Sequence, residues 1–292
     1  MVIKLPTADF SANNIGQIDI AALSDFTLAA IAASGNSTMT AEQKSGLEKF
    51  FRSVGAKSNT GPWAKIDSIY IPMISGDLAH AGVNYKGNVT DFVPSDTYYE
   101  IRNKGLAGKT TNAGNNTATR KGGKPNGKNN SVLFMMGEDL TSDFAGSCPF
   151  AYEGDSGADR FTTRLSKSSV GHLNLVRKYL APSISDMAIQ LKAAPLTGIT
   201  KQLVGTTNKD GAPTTIQFLK LDGTIGEVTQ ADIANVQTDT NDTWVNLFCH
   251  DTSAKAMYSS DGSYMMLIYG ATMTEAEMAT LRTASNALAL LF

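Results

Sequence analysis

The sequence predicts a mainly β fold, a sandwich that follows an N-terminal helical hairpin and ends in one C-terminal helix. Many short apolar segments are separated by turns rich in Gly, Asn, Asp and Ser, a pattern typical of sandwiches and barrels. Helical periodicity is confined to residues 24–34, 40–54 and 274–291. Because these helices do not alternate with the strands, the pattern argues against a parallel sheet built from βαβ units.

The overall charge and hydropathy limit the classes of partner. The chain has 292 residues, a net charge of −2 and a pI near 5.9, so the chain as a whole has no electrostatic reason to bind nucleic acid. The N-terminus lacks the apolar core of a secretion signal, and no apolar run approaches the roughly 18 residues of a membrane span. We therefore expect synthesis in the cytoplasm, and no nucleic-acid or membrane partner.

Residues 1–22 precede the helices and read as an extended arm. Apolar residues alternate with polar ones in part of this segment, which is strand periodicity. A strand-like arm at a terminus packs either on its own domain or on another subunit, and we expect the second. The apolar residues of this assembly arm are Ile3, Leu5, Ile15, Ile18 and Ile20.

Residues 23–60 carry clear start and stop signals for two helices. Ser24 and Asp25 can cap the first helix, and Thr40 with Gln43 forms a capping-box pattern at the start of the second. Gly55 is suited to end the second helix. The predicted apolar face of the first helix is Phe26, Ala29, Ala30 and Ala33, and that of the second is Leu47, Phe50, Phe51 and Val54.

Residues 61–292 are predicted to form the sandwich, closed by the amphipathic helix 274–291. The stripe of this helix consists of Met278, Leu281, Ala284, Leu288 and Leu291. The candidate strands are Ala81–Tyr85, Tyr98–Ile101, Ser131–Met136, Met187–Lys192, Gln202–Gly205, Thr214–Leu221, Trp244–Cys249 and Tyr264–Tyr269. Trp63 and Trp244 lie among apolar residues and are expected in the core.

Residues 102–130 are predicted to form one long basic loop, because they contain no Asp or Glu and almost no large apolar side chain. Two interpretations stay open. The loop is either solvated without a partner, or it contacts an acidic neighbour such as a capsid surface, an anionic glycan or a nucleic acid. The candidate contact residues are Arg102, Lys104, Lys109, Arg120, Lys121, Lys124 and Lys128.

The sequence shows no arrangement that specifies catalysis, so we expect a protein that is not an enzyme and has no cofactor. His80, His172 and His250 are far apart and form no metal-binding motif. Cys148 and Cys249 are too few for a disulfide framework and are expected to be reduced, although a single bridge stays open.

The acidic stretch 153–159 has Gly, Ser and Ala between its carboxylates, which indicates a loop rather than a catalytic strand. A solvated acidic turn is the simplest interpretation. A weaker candidate is a calcium loop formed by Glu153, Asp155 and Asp159.

Two segments resemble modules of known proteins. Residues 63–70, WAKIDSIY, are followed by AGVNYK at residues 81–86, and residues 264–281 run YMMLIYGATMTEAEMATL. Both resemble the laminin-G/concanavalin-like modules of phage and prophage tail and fibre proteins. The N-terminal segment LPTADFSANNIGQIDI with the helical hairpin also resembles virion proteins of crAss-like phages, including head fibres. Residues 100–185 match none of these motifs.

This resemblance implies a concanavalin/laminin-G-like jelly roll in a structural protein of a bacteriophage virion. We expect a head fibre or related capsid or tail appendage, made in the host bacterial cytoplasm, that decorates the capsid or tail. Its expected partners are other virion proteins and sister subunits, with a homotrimer favoured over a dimer. The alternative is a glycan-binding module for adhesion to the host surface, and a polysaccharide depolymerase ranks last.

Overall fold

The computed structural model describes residues 23–94, 96, 99–109, 118–121, 129–140, 146–153, 160–181, 184–236, 244–247, 249–251, 256–257 and 262–292. The helices are α1 (Asp25–Ala33), α2 (Ala41–Ser53), α3 (Gly61–Lys65) and α4 (Glu275–Ala289). The strands are β1 (Ile66–Tyr70), β2 (Val83–Asn84), β3 (Val89–Thr90), β4 (Tyr99–Arg102), β5 (Gly105–Gly108), β6 (Ala118–Lys121), β7 (Ser131–Met136), β8 (Gly146–Glu153), β9 (Arg160–Lys167), β10 (Leu173–Ala181), β11 (Met187–Lys192), β12 (Leu203–Lys209), β13 (Ala212–Leu219), β14 (Ile225–Thr229), β15 (Trp244–Leu247), β16 (Cys249–Asp251), β17 (Ala256–Met257) and β18 (Ser263–Gly270).

The chain is a mainly β sandwich of antiparallel sheets with N-terminal helices and a C-terminal helix, which confirms the predicted fold class. In the described residues, ten strands form the first sheet, whose main path runs β14-β13-β12-β7-β18-β1-β2-β3, with β5 on β18 and β4 on β5. Six strands form the second sheet, in the order β11-β10-β9-β8-β15-β6. Strands β16 and β17 pair with each other.

The first sheet lies between the second sheet and the helices, so its central strands are buried on both faces, whereas β3 is exposed and β14 is only partly buried. Along β7, Val132 and Phe134 belong to the core between the sheets, whereas Leu133 and Met135 belong to the core shared with the helices. This alternation explains why β7 is apolar at nearly every position: a strand covered on both faces has no solvent side. Strand β18 pairs with β7 on one side and with β1 and β5 on the other, and it is buried throughout.

The helix signals in the sequence are confirmed at their start residues. Ser24 caps α1, and Thr40 and Thr274 each form a complete capping box with the residue three positions later. One detail of the predicted face of α1 is wrong. Ala29 is exposed and Thr27 is buried instead, because the Thr27 hydroxyl belongs to a polar network beneath the helix.

Helices α1, α2 and α4 form one layer on the first sheet. Helix α2 packs against both α1 and α4, and its Leu47 shares a core with Leu281 of α4. Gly46 allows the close crossing of α2 and α4, since a Cβ there would lie 2.1 Å from Leu291 Cδ1. Whether residues 23–60 are a domain separate from 61–292 stays a prediction, and the predicted arm 1–22 lies outside the described residues.

The prediction of one continuous basic loop at residues 102–130 is wrong, because strands β5 and β6 lie within it. Strands β4 and β5 form a tight hairpin whose turn residues, Asn103 and Lys104, both have positive φ angles of 48° and 61°. Two positive φ angles match the right-handed twist of the paired strands, and Asn is favoured in such turns. In the sequence, Asn-Lys-Gly at 103–105 is the pattern that indicates this hairpin turn.

Strands β8, β9 and β10 were also missed. In β10, Leu173, Leu175 and Tyr179 occupy alternate positions on the buried face. That period of two was visible, but charged residues at 177 and 178 interrupt the apolar pattern.

Candidate functional site

An open cleft of about 540 Å³ lies where the β13–β14 hairpin meets the start of α4. Its apolar lining residues are Leu219, Ile225, Ala276 and Ala279, and its acidic lining residues are Glu227 and Glu275. A concave surface that combines apolar residues with a few polar groups is the usual form of a small-ligand site.

Local sequence sets the shape of one wall. The loop between β13 and β14 is tightened by Asp222, whose carboxylate accepts hydrogen bonds from the Thr224 backbone at 2.9 Å and the Thr224 hydroxyl at 2.6 Å. These hydrogen bonds lower the pKa of Asp222 below its usual value. Gly223 has a φ of +84°, a conformation that side chains rarely adopt. The wall is therefore a preformed turn.

Gln217 links the two carboxylates that line the cleft, those of Glu227 and Glu275. Its amide nitrogen donates to Glu227 Oε1 at 2.9 Å and to Glu275 Oε1 at 2.8 Å. Lys209 Nζ donates to both carboxylate oxygens of Glu227, at 2.8 and 2.9 Å. The hydrogen bond from Lys209, followed by that from Gln217, lowers the pKa of Glu227. Glu227 is thus held as a carboxylate, suited to accept hydrogen bonds from a hydroxyl-rich ligand.

Arg102, the first of the predicted basic contacts, is already paired. It lies in β4, and its guanidinium donates to Glu138 Oε1 at 2.6 Å and to Glu100 Oε1 at 3.0 Å. The hydrogen bond to Glu138 is the main reason that the pKa of Arg102 is raised. Asn103 also donates to Glu138, at 2.7 Å. Arg102 therefore holds the β4–β5 hairpin to the segment that follows β7.

The other predicted basic contacts are dispersed. Lys104 is exposed at the hairpin turn, and Lys109 donates to the backbone carbonyl of Asp96. Arg120 and Lys121 lie on β6, the edge strand of the second sheet. Charged residues on an edge strand discourage unwanted pairing with another chain. Lys124 and Lys128 lie outside the described residues.

The acidic candidates are only partly described. Glu153 is the last residue of β8, opposite Trp244 and Arg160, so it belongs to a strand rather than to the predicted loop. Asp155 and Asp159 lie outside the described residues, and the calcium loop stays a prediction. Within the described ranges, no three His, Cys, Asp or Glu residues lie close enough to hold a metal ion.

The histidines and the assembly arm complete the predicted candidates. His80 Nδ1 lies 2.6 Å from Asp77 Oδ1 at the surface, His172 closes the β9–β10 turn, and His250 lies in β16. The assembly-arm residues Ile3, Leu5, Ile15, Ile18 and Ile20 all lie outside the described residues. No helix in the described part of the chain is long and apolar enough to cross a membrane.

Sequence analysis missed a buried arginine between the sheets. Arg177 is 1% exposed, and its guanidinium carbon lies 3.5 Å from the centre of the Phe161 ring. Its nitrogens donate to Asn130 Oδ1 at 2.7 Å and to the Thr163 hydroxyl at 3.2 Å. No carboxylate among the described residues neutralises it, so ring stacking and neutral acceptors offset the cost of burial. The sequence signal was its position two residues from Leu175 and from Tyr179, which places all three side chains on the same buried face of β10.

No protein-family model and no curated protein sequence matches the chain. Solved structures that are similar include the CBM40 of the Ruminococcus gnavus IT-sialidase bound to α2,3-sialyllactose, at 12% identity and a TM-score of 0.38, covering 53% of this chain and 82% of that one. Full-length tailspike protein 2 of an Escherichia coli O157:H7 bacteriophage is similar at 10% identity and a TM-score of 0.41, covering 59% of this chain and 23% of that one.

A heptameric SAP-like pentraxin from Limulus polyphemus is similar at 12% identity and a TM-score of 0.37, covering 52% of this chain and 68% of that one. These TM-scores are too low to carry an argument about function.

Proposed function

We propose that the chain is a structural protein of a bacteriophage particle, a head fibre or related capsid or tail appendage that displays a β-sandwich module. It is made in the bacterial cytoplasm and becomes part of the virion. It acts by assembly and adhesion rather than by catalysis, with other virion proteins and sister subunits as its partners.

The observation that supports this proposal is the pairing of the two segments that resemble phage modules. Residues 63–70 contain β1, and residues 264–281 contain most of β18 and the start of α4. Although they are far apart in sequence, β1 and β18 are antiparallel neighbours, with Tyr70 opposite Leu267 and Ile69 opposite Ile268. Trp63 contributes to the helical core with Met278 and Leu281. The two motifs therefore form one structural unit, as expected of a single module.

A display module needs a firm base, and the helical layer is suited to that role. Phe26, Phe51 and Trp63 make edge contacts with ring centroids 4.8 to 5.7 Å apart, which join α1, α2 and α3. In the sequence, the predicted assembly arm comes immediately before Leu23 and the cap of α1. We propose that this end of the molecule is the attachment end and that the sandwich projects from it.

Labelling of purified particles tests the proposal. Antibody against the chain, with gold detection in the electron microscope, is expected to mark intact virions at a fixed position. Particles mixed with free purified chain serve as the control for adsorption. Recovery of the chain only in the soluble fraction of lysed cells, and never on washed particles, would overturn the proposal.

Glycan binding is a second candidate function, which the cleft favours. Glu227 and Glu275 line the cleft together with apolar residues, and Gln217 holds both carboxylates in place, so the surface can accept sugar hydroxyls while packing against a ring face. Ala279→Tyr should fill the cleft and weaken binding to host capsular polysaccharide. Thr283→Tyr, at an exposed position of α4 outside the cleft, is the matched control. Equal binding by both variants would exclude the cleft.

The non-catalytic part of the proposal has its own test. The lowered pKa of Glu227 favours its ionised form, so Glu227 does not supply the protonated carboxyl group that glycoside hydrolysis needs beside a carboxylate. Purified chain is expected to release no reducing ends from host polysaccharide. Release by the parent that is lost in Glu227→Gln, Glu153→Gln or Asp155→Asn would show that the chain is an enzyme.

A further inference from the structure

Strand β14 forms one edge of the first sheet. Among the described residues it pairs with β13 alone, over five residues and without a register shift. Half of the backbone N–H and C=O groups of an edge strand point away from its neighbour, where they can pair with another chain. Strand β11 of the second sheet packs on one face of β14, with Ile189 directly over Gly226, but does not pair with it.

The β14 edge lacks the features that usually prevent pairing. Proteins protect such edges with lysine, proline or a bulge, and the β14 sequence, Ile-Gly-Glu-Val-Thr, contains neither lysine nor proline. Its one charged side chain, Glu227, is drawn inwards over the sheet by hydrogen bonds from Gln217 on β13 and Lys209 on β12. By contrast, the edge strand β6 of the second sheet carries Arg120 and Lys121. An extended segment can therefore approach β14.

The cleft lies along the same edge, on the face of β14 that is turned towards α4. Ile225 and Glu227 both line it, and their two-residue spacing places them on one face of the strand. The cleft is apolar near Ile225, which is opposite Leu219, and acidic near Glu227, which Gln217 links to Glu275. A strand added beside β14 would turn every second side chain towards this cleft.

The charges at the acidic end favour a basic partner. Lys209 neutralises Glu227, whereas Glu275 accepts a hydrogen bond from Gln217 and forms no ion pair within the described part of the chain. Among the described residues that line the cleft, there is no lysine or arginine. A basic side chain at this end and an apolar side chain two positions away would therefore complement the cleft.

We propose that β14 is the site where an extended segment of a partner protein adds to the first sheet. The segment places a Lys or Arg beside Glu275 and an apolar residue, two positions away, beside Ile225. Backbone hydrogen bonds give such strand addition its affinity, and the alternate side chains give it selectivity. The inference does not depend on the virion proposal, because it concerns the purified chain. It uses the same cleft as the glycan candidate, and the test separates the two.

Hydrogen exchange of the full chain with a synthetic peptide tests the proposal. The probe is a capped heptapeptide in which threonine alternates with valine, lysine and valine, so that a valine lies two residues from the lysine in either strand direction. The expected result is slower exchange of the β14 amides and no change at β11, the neighbouring edge. No binding of the peptide, or binding that leaves β14 unprotected, would overturn the proposal. Host polysaccharide that protects β14 where the peptide does not would assign the cleft to glycans instead.

Matched changes separate backbone pairing from charge. Two peptide analogues carry N-methyl groups on alternate amides in opposite phases, and the one methylated on the amides that face β14 should bind about tenfold more weakly. A peptide with glutamate in place of lysine should bind the parent several-fold more weakly, and Glu275→Gln should reduce this discrimination. Glu42→Gln, on α2, is the control and should discriminate as the parent does. Undiminished binding of both methylated analogues, or unchanged discrimination by Glu275→Gln, would show that the inference is wrong.

Discussion

Glu48 connects the stability of the helical layer to pH. The side chain is fully buried, and it accepts hydrogen bonds from the Ser24 backbone at 3.0 Å and the Ser24 hydroxyl at 2.7 Å. Burial by itself would raise its pKa, but hydrogen bonds from Thr27, Arg52 and Ser24 outweigh burial and lower the pKa to about 2. Its carboxylate therefore joins the start of α1 to the middle of α2.

This lowered pKa predicts an acid-sensitive fold. The stabilisation is complete above the ordinary pKa of 4.5 and is lost as the pH falls towards about 2, since the unfolded chain takes up the proton first. Glu48→Gln should lower the free energy of unfolding at pH 7 by up to about 3 kcal/mol and flatten its pH dependence in that window. Urea titrations at several pH values measure both. Glu42→Gln, exposed on the same helix, should show neither effect.

Arg177 is the corresponding polar residue between the sheets. Arg177→Lys should lower the free energy of unfolding by about 2 kcal/mol, because an ammonium cannot stack flat on Phe161 while it donates to Asn130 and Thr163. Urea unfolding measures the change. Lys178→Arg, the next position on the opposite face, is the control. If both variants unfold at the same urea concentration, the guanidinium geometry does not matter for stability.

The contacts of neither residue could be identified from the sequence, although the period of two in β10 does place Arg177 on the buried face. The start residues of α1, α2 and α4 could be identified from the sequence, because a cap such as Thr40 with Gln43 depends on neighbours within one turn. The burial of Glu48 depends on where α1 docks on α2. The cluster around Arg177 joins Asn130, Thr163 and Thr206, which lie on three different strands or their ends. Contacts of this range leave no local pattern.

At the scale of elements, α4 shows that helical spacing of apolar residues predicts which face of a helix is buried. Met278, Leu281 and Leu288 are buried, as predicted from their helical spacing. Leu281→Asp should destabilise the domain by about 4 kcal/mol, because it places a charge in the core shared with α2 and the first sheet. Thermal melting measures the loss, with Thr280→Asp on the exposed face as the control. An unchanged melting temperature for Leu281→Asp would mean that α4 is not docked.

The basic region shows where element prediction fails. Composition indicated a structureless segment at residues 102–130, yet Gly105–Gly108 is fully buried against β18. Small residues are required there: a Cβ at position 105 would lie 2.8 Å from the Tyr264 backbone nitrogen. This strand is Gly-Leu-Ala-Gly, and a single large apolar residue, Leu106, gives no periodicity, so only its partner strand reveals it.

At the scale of the whole molecule, the alternating isoleucines before α1 predict an assembly role for residues 1–22. Deleting them should leave the sandwich folded, since the described core is built from Leu23 onwards. We expect the truncated chain to sediment as a smaller species than the intact one and to lose its place in particles. A trimer is favoured over a dimer for the intact chain. If the intact and the truncated chains are both monomers and both still decorate virions, the arm packs on its own domain instead.

The position of β18 has a consequence for how the protein is made. This strand joins β7 and β1 in the middle of the first sheet, although β1 and β18 are the first and the last strands of the described residues. During translation, β1 can pair with β2 early, but it has no β18 beside it until the strands between them have been made, so this part of the first sheet closes late. Such long-range pairing slows folding and prolongs the exposure of apolar strands. Nascent chains halted before residue 263 should therefore engage chaperones, and completed chains should be released from them.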